Sequence, residues 1–138
     1  SAKMIQGLDQ LPKKGKVLVI TKSLKDVMTF YSCGIPAIAP NSENLFIPQT
    51  LFDELKSRFE HICVLYDNDL AGVSNMKKIR KETGLVCLMI PRSYDAKDIS
   101  DFHKKYGHKK TLELIQEGVN YYGRRTRETK EETHRSVC

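Results

Sequence analysis

Residues 67–72 read Asp-Asn-Asp-Leu-Ala-Gly and directly follow the apolar run HICVLY at 61–66. Two carboxylates one residue apart at the end of a buried strand repel each other unless a cation or protons neutralise them. Hard oxygen donors of this kind suit Mg²⁺ or Mn²⁺, which are held by one or two carboxylates together with water and phosphate oxygens. With a phosphate-bearing substrate such an ion stabilises attacking and leaving oxygens. The plainer use of such residues is helix capping: Asp69 can cap a helix from Ala71, and Asp98 one from Ile99. Gly72 favours the metal assignment, because a glycine there permits close backbone approach.

The elements that must position these groups follow from periodicity. KVLVI (16–20) is a short β-branched run of the kind buried on both faces of a sheet. SLKDVMTFYSC (23–33) places Leu24, Val27, Met28 and Tyr31 on one helical face, with Ser23 as N-cap and Gly34 as stop. IPAIAP (35–40) predicts a second strand, 48–59 a second helix, 61–66 a third strand and 71–84 a third helix ending at Gly84. LVCLMIP (85–91) predicts a fourth strand, with helices following at 99–107 and 109–118. This alternation predicts an α/β fold: a four-stranded, mostly parallel sheet with helices on both faces and its ligand site at the carboxyl ends of the strands. Lys22, Lys25 and Asp26 fall after strand one, Glu43 after strand two, and Asp95, Asp98 and Asp101 after strand four. The fold brings these to the edge that carries Asp67 and Asp69. Residues 1–13 read as a lead-in, 14–118 as the domain, and 119–138 as a basic, polar tail or linker.

No apolar run in the 138 residues approaches the roughly 20 needed to span a membrane, and the N-terminus has no apolar signal core. The first residue is Ser rather than Met, which suggests an excised domain. Cys33, Cys63, Cys87 and Cys138 include no CxxC pair, which argues against a zinc ribbon. The first three read as reduced packing residues, which fits a cytoplasmic protein. A net charge of +6 permits nucleic-acid binding without establishing it. Lys77, Lys78, Arg80 and Lys81 lie on the helix after Asp69, and GRRTR occupies 123–127. Each is either a solvated face or a track for phosphates. His61, His103 and His108 fall at element margins, which predicts no metal role for them.

VLYDNDLAG is similar to the hydrophobic-DxDxAG motif of the Toprim domain, found in bacterial primases, type IA and type II topoisomerases, OLD-type nucleases and recombination-repair proteins. KVLVITKSLKDVMTFYSCGIPAIAP resembles the first Toprim segment, a strand, a Glu-Gly-x-x-Asp turn and a helix. AKDISDFHKKYG resembles the Lys-Asp-Pro-x-Asp-Phe segment that supplies a further acidic group in primases. The resemblance covers roughly residues 14 to 107, with TKSLKD and PNSEN nearest to phage or prophage primases and primase-helicases.

The resemblance implies a Rossmann-like Toprim fold and metal-dependent nucleotidyl transfer making RNA primers on single-stranded DNA. It implies nucleoside triphosphates as substrates, Mg²⁺ or Mn²⁺ as cofactor, and a helicase and a zinc-binding domain as partners in the full-length protein. Without those parts the domain alone is not expected to prime. Asp67 and Asp69 correspond to the metal-binding pair, Asp98 to the last acidic group with Asp101 as a companion, and Asp26 to the Asp closing the first motif. Lys22 stands where the family has its general acid/base Glu. Three arrangements are open. Glu43 supplies the missing carboxylate; Lys22 binds a phosphate or triphosphate tail directly while Asp67, Asp69 and Asp98 hold the metal, with Lys25, Lys77 and Arg80 as further phosphate contacts; or the domain binds DNA without catalysis. A nuclease or topoisomerase-like enzyme is the competing class, the latter needing a nucleophilic Tyr, with Tyr94, Tyr121 and Tyr122 unplaced.

Overall fold

The computed structural model describes residues 5–40 and 47–137, with side chains as far as Tyr121. Strands β1 (Gly15–Ile20), β2 (Ala37–Ile38), β3 (Phe59–Leu65) and β4 (Val86–Leu88) form one sheet in the order β2-β1-β3-β4. Every neighbouring pair is parallel. Helices α1 (Leu24–Ser32), α2 (Gln49–Arg58) and α3 (Leu70–Thr83) connect successive strands, and α4 (Ile99–Val137) follows β4. Gln6 adds an isolated antiparallel bridge to Ala39.

Right-handed crossovers decide which face each helix covers. The chain steps from β1 to the edge at β2, then returns past β1 to β3 and goes on to β4, so its direction reverses once. Accordingly α1 takes one face and α2 and α3 the other; α4, which follows the last strand, packs beside α1, where Val27, Phe30, Ile99, Phe102 and Ile115 meet Val19, Cys63 and Leu65. On the other face α2 and α3 set Phe52, Leu55, Met76 and Ile79 against Leu18, Ile20, Ile62 and Val64. Alternate residues of β1 and β3 thus serve opposite cores, which is why these strands are apolar without a break.

The expected elements are present, with altered ends. Strand β2 is shorter than the 35–40 run, because Pro36 lacks an amide donor and Ala39 turns to pair with Gln6. Strand β4 stops at Leu88, opposite Leu65, where its neighbour β3 also ends; beyond it the Ile90 carbonyl accepts from the Asn68 side chain. Two helices were expected at 99–107 and 109–118, and helix continues on both sides of a break at Gly107 (φ 85°, ψ 179°). Residues 119–137, a tail or linker by composition, continue that helix, and Val119 is buried in the core.

The reversal between β1 and β3 leaves a crevice at their carboxyl ends, the place where open parallel sheets bind ligands. Its walls depend on α1 lying flat on the sheet through Phe30, which is fully buried. Phe30→Ala is expected to cost about 3–5 kcal/mol, measured as a lower urea midpoint with an unchanged denaturant slope.

Candidate metal centre

Asp26, Asp67 and Asp98 reach the crevice from three different elements, and one carboxylate oxygen from each lies within 4.8 Å of the others. Asp26 sits in the first turn of α1 and is only 3% exposed. Ser23, the N-cap of α1, donates its hydroxyl to Asp26 Oδ2 at 3.1 Å. Ser100 Oγ donates to Asp26 Oδ1 at 2.7 Å and lies 3.0 Å from Thr29 Oγ1. Asp67 follows β3 directly. Asp98 begins α4, where its Oδ1 accepts from the Asp101 amide at 2.8 Å.

Asn68 and Gly72 fix the turn that carries Asp67. The Asn68 amide donates to the Lys97 carbonyl at 3.1 Å and its side-chain Nδ2 to the Ile90 carbonyl at 2.8 Å. These bonds tie the turn after β3 to the segment that carries Asp98. Asp69 caps α3, its Oδ1 accepting from the Gly72 amide at 2.7 Å. A Cβ on Gly72 would stand 2.0 Å from the Asp67 carbonyl oxygen, so only glycine lets α3 start this close to β3. The capping use of Asp69 and the close approach at Gly72 therefore coexist in one turn.

Burial is the main reason that Asp26 and Asp67 resist ionisation. Asp26 is pushed up by loss of solvent and by Asp98, while Ser100, Ser23 and Lys25 oppose the shift. Asp67 is pushed up by burial and by Asp26, Asp98 and Asp69, with Lys22 opposing. Lys22 Nζ lies 3.9 Å from Asp67 Oδ2, and Lys25 Nζ lies 3.7 Å from Asp98 Oδ2. Three carboxylates facing two ammonium groups leave a deficit of one positive charge. The hydroxyl of Thr21 and the Oδ1 of Asn68, neighbours in sequence of Lys22 and Asp67, are buried without a hydrogen-bond partner. Carboxylate oxygens from three segments within 4.8 Å of one another, with more negative than positive charge around them, suit a hydrated hard cation. Oxygen-only donors fit Mg²⁺ or Mn²⁺ better than softer metals.

Of the residues singled out from sequence, the fold thus gathers Lys22, Lys25, Asp26, Asp67 and Asp98. Asp69 is adjacent but engaged as a cap. Asp101 lies outside the three-carboxylate group, and Asp95 is fully exposed and paired with Lys105. Lys77 and Arg80 lie exposed along α3. Glu43 falls outside the described residues, as do the side chains of 123–127. Tyr94 stacks edge-on against Phe102 and Tyr106, and the Tyr66 phenol beside Asp67 is pushed up to about 12 by burial. Ser100 and Thr29 carry no sequence signal for the site, since Ser100 meets Asp26 across 74 residues. Asn68 lay in view, between the two Asp residues of the motif.

A protein-family model described as Toprim-like matches residues 19–103. The RNA polymerase domain of Mycobacterium tuberculosis primase DnaG has a similar structure, with a TM-score of 0.56 and 20% identity over 72% of this chain and 35% of that one. The primase fragment of the bacteriophage T7 primase-helicase protein gives a TM-score of 0.51 and 21% identity over 79% of this chain and 45% of that one. At such identities the likeness is one of fold, and this chain spans less than half of either structure. No curated protein matches the chain.

Two outcomes follow from the geometry. Gly72→Ala must displace either β3 or α3 and is expected to lose about 1–3 kcal/mol or more, read from chemical denaturation. The pH dependence runs opposite to that of an ordinary salt-bridged Asp. For Asp26 the folded-state value is raised above 3.8, so its stability contribution is complete below that pH and is lost as pH rises through the raised value. In the presence of chelator, Asp26→Asn is therefore expected to melt higher than the parent protein at neutral pH. The gap should close as the pH falls to about 3.8.

Proposed function

The chain belongs to the Toprim-like family, and from that membership we propose that it is the metal-binding part of a DNA primase, joining ribonucleoside triphosphates into RNA primers on single-stranded DNA. The observation that carries this reading is the meeting of the Asp26, Asp67 and Asp98 carboxylates at the mouth of the sheet crevice. Asp67 and Asp98 would hold Mg²⁺ or Mn²⁺, with Asp26 as the third oxygen donor and Asp69 contributing through the oxygen left free by its cap. The ion supplies positive charge to the attacking and leaving oxygens of phosphoryl transfer.

The remaining roles belong to the chain. Ser23 and Ser100 hold Asp26 in one orientation through both of its oxygens. Asn68 fixes the separation of Asp67 from the start of α4. Lys22 cannot ligate a cation; its side chain is 41% exposed and that of Lys25 is 65% exposed, so both ammonium groups can exchange a carboxylate for a triphosphate oxygen. Glu43 is the alternative source of the carboxylate that Lys22 replaces. Lys77 and Arg80 offer a track for template phosphates, with the salt dependence such contacts carry. In the full-length protein a helicase and a zinc-binding domain complete the template path.

A second reading is favoured by the Lys22–Asp67 ion pair: the ammonium stands in for the metal, and the domain binds DNA without catalysis. The two separate in the native polypeptide, supplied with ribonucleoside triphosphates, single-stranded DNA and Mg²⁺ or Mn²⁺. Short RNA products are expected. They should fall at least about 100-fold in Asp67→Asn, the scale of losing several kcal/mol of charge stabilisation. Lys22→Glu should weaken nucleotide or DNA binding without raising activity, and loss of product in Glu43→Gln would assign the missing carboxylate to Glu43. Nicking of supercoiled plasmid without primer synthesis would identify a nuclease instead, and neither product would leave the binding module.

A further inference from the structure

At the far end of the seam between α1 and α4 from the carboxylates, Cys33, His103 and His108 converge. Cys33 Sγ lies 3.2 Å from His108 Nδ1, which is also in contact with His103 Nε2. The two imidazole centroids are 4.4 Å apart, and one donor atom from each of the three residues lies within 4.8 Å of the others. Cys33 and His103 are half-buried and His108 is exposed.

The backbone is arranged for this meeting. On an unbroken helix, residues five apart point about 140° away from each other. Gly107 breaks α4 between the two histidines with φ 85° and ψ 179°, a conformation open to glycine and strained for other residues. The break turns His108 back over His103. Cys33, the C-cap of α1, closes the third side. The margins of helices, which by sequence predict no metal role for these histidines, are what the fold brings together.

We infer that Cys33, His103 and His108 form a second metal site, for a borderline transition ion such as Zn²⁺, with a fourth position open to water. One sulfur and two imidazole nitrogens are the donors that Zn²⁺ selects and that Mg²⁺ does not. Tetrahedral Zn²⁺, at about 2.3 Å from sulfur and about 2.0–2.1 Å from nitrogen, sets its ligands about 3.3–3.6 Å apart. The Cys33–His108 pair is close to that spacing, and the His103–His108 pair reaches it by a small opening of the exposed His108 ring. Metal hardness keeps the two sites distinct. The carboxylates take a hard ion, and the Cys-His-His group a softer one.

The position of the site gives it a structural role. Along α1, Asp26 and Cys33 are about 10 Å apart at 1.5 Å per residue. Along α4, Asp98 comes first, then Ser100, His103 and His108. Thr29 and Ser100 touch midway, at 3.0 Å. An ion bound to Cys33, His103 and His108 clamps the two helices at one end of a seam whose other end sets Asp26 against Asp98.

Co²⁺ is the spectroscopic probe. The reduced, metal-stripped protein without an affinity tag should bind one equivalent with tetrahedral visible bands and a near-ultraviolet thiolate-to-cobalt band. Zn²⁺ should displace the Co²⁺ and raise the melting temperature. Cys33→Ser should lose the charge-transfer band and the thermal gain, and Cys87→Ser should keep both. His108→Ala, which alters an exposed side chain, should lose tetrahedral binding even if Cys33→Ser fails to fold. A charge-transfer band that survives in Cys33→Ser, a weak six-coordinate spectrum, or no saturable binding overturns the site.

Discussion

Three carboxylates are held together in a half-buried crevice against their mutual repulsion, and the rest of the molecule is organised around that constraint. Asp26 is nearly dry, and both of its oxygens accept hydroxyl hydrogen bonds that favour the charged form, yet burial outweighs them. Lys22 and Lys25 reduce the repulsion from the solvent side. Their contribution is modest because exposed ammonium groups are screened and flexible. What remains is a site that gains from one more positive charge. The parallel sheet provides the place for it, since the reversal of chain direction between β1 and β3 opens a crevice at the strand ends.

The seam between α1 and α4 sets the positions of two of the three charges. It carries apolar packing through Phe30 and Phe102, a polar line through Asp26, Ser100 and Thr29, and the Cys-His-His group at its end. Asp67 is positioned independently, by a turn in which Asn68 reaches across to the segment before α4 and Gly72 brings α3 against the end of β3. Family membership accords with this division, because the matched segment, residues 19–103, runs from the end of β1 to the first turns of α4 and contains all three carboxylates. Lys22 lies within 3.9 Å of Asp67 and opposes the effect of burial on it. It sits beside Asp67 and changes the electrostatics of the site without disturbing the fold. Among the described residues no helix is long and apolar enough to cross a membrane.

Much of the architecture was legible in the sequence. The β-branched runs of β1 and β3 and the helical spacing of Val27, Phe52, Leu55 and Met76 are local patterns, and burial enforces them. The Asp67–Gly72 turn was legible for a similar reason, since a carboxylate, a cap and a glycine must occur at fixed offsets to build it. Element ends were less so. Strand β4 stops where its partner β3 stops, and β2 is cut short by a bridge to Gln6; both depend on neighbours remote in sequence. The two helices expected at 99–107 and 109–118 are present and meet at Gly107, but the angle between them rests on that single residue's backbone conformation.

By itself the sequence determined the order of strands and helices, the parallel sheet, the family and the acidic residues from which a metal site could be drawn, because each rests on periodicity or on residues close together in the chain. Tertiary structure decided which of those acids meet. Asp26 joins Asp67 and Asp98, Asp69 caps a helix, and Asp95 points to solvent. It also brought in Ser100 across 74 residues and gathered Cys33, His103 and His108 at a helix break. Charge and ligand geometry act over a few ångströms in space, whatever the separation in sequence, so these sites exist only once α1 and α4 lie side by side on the sheet.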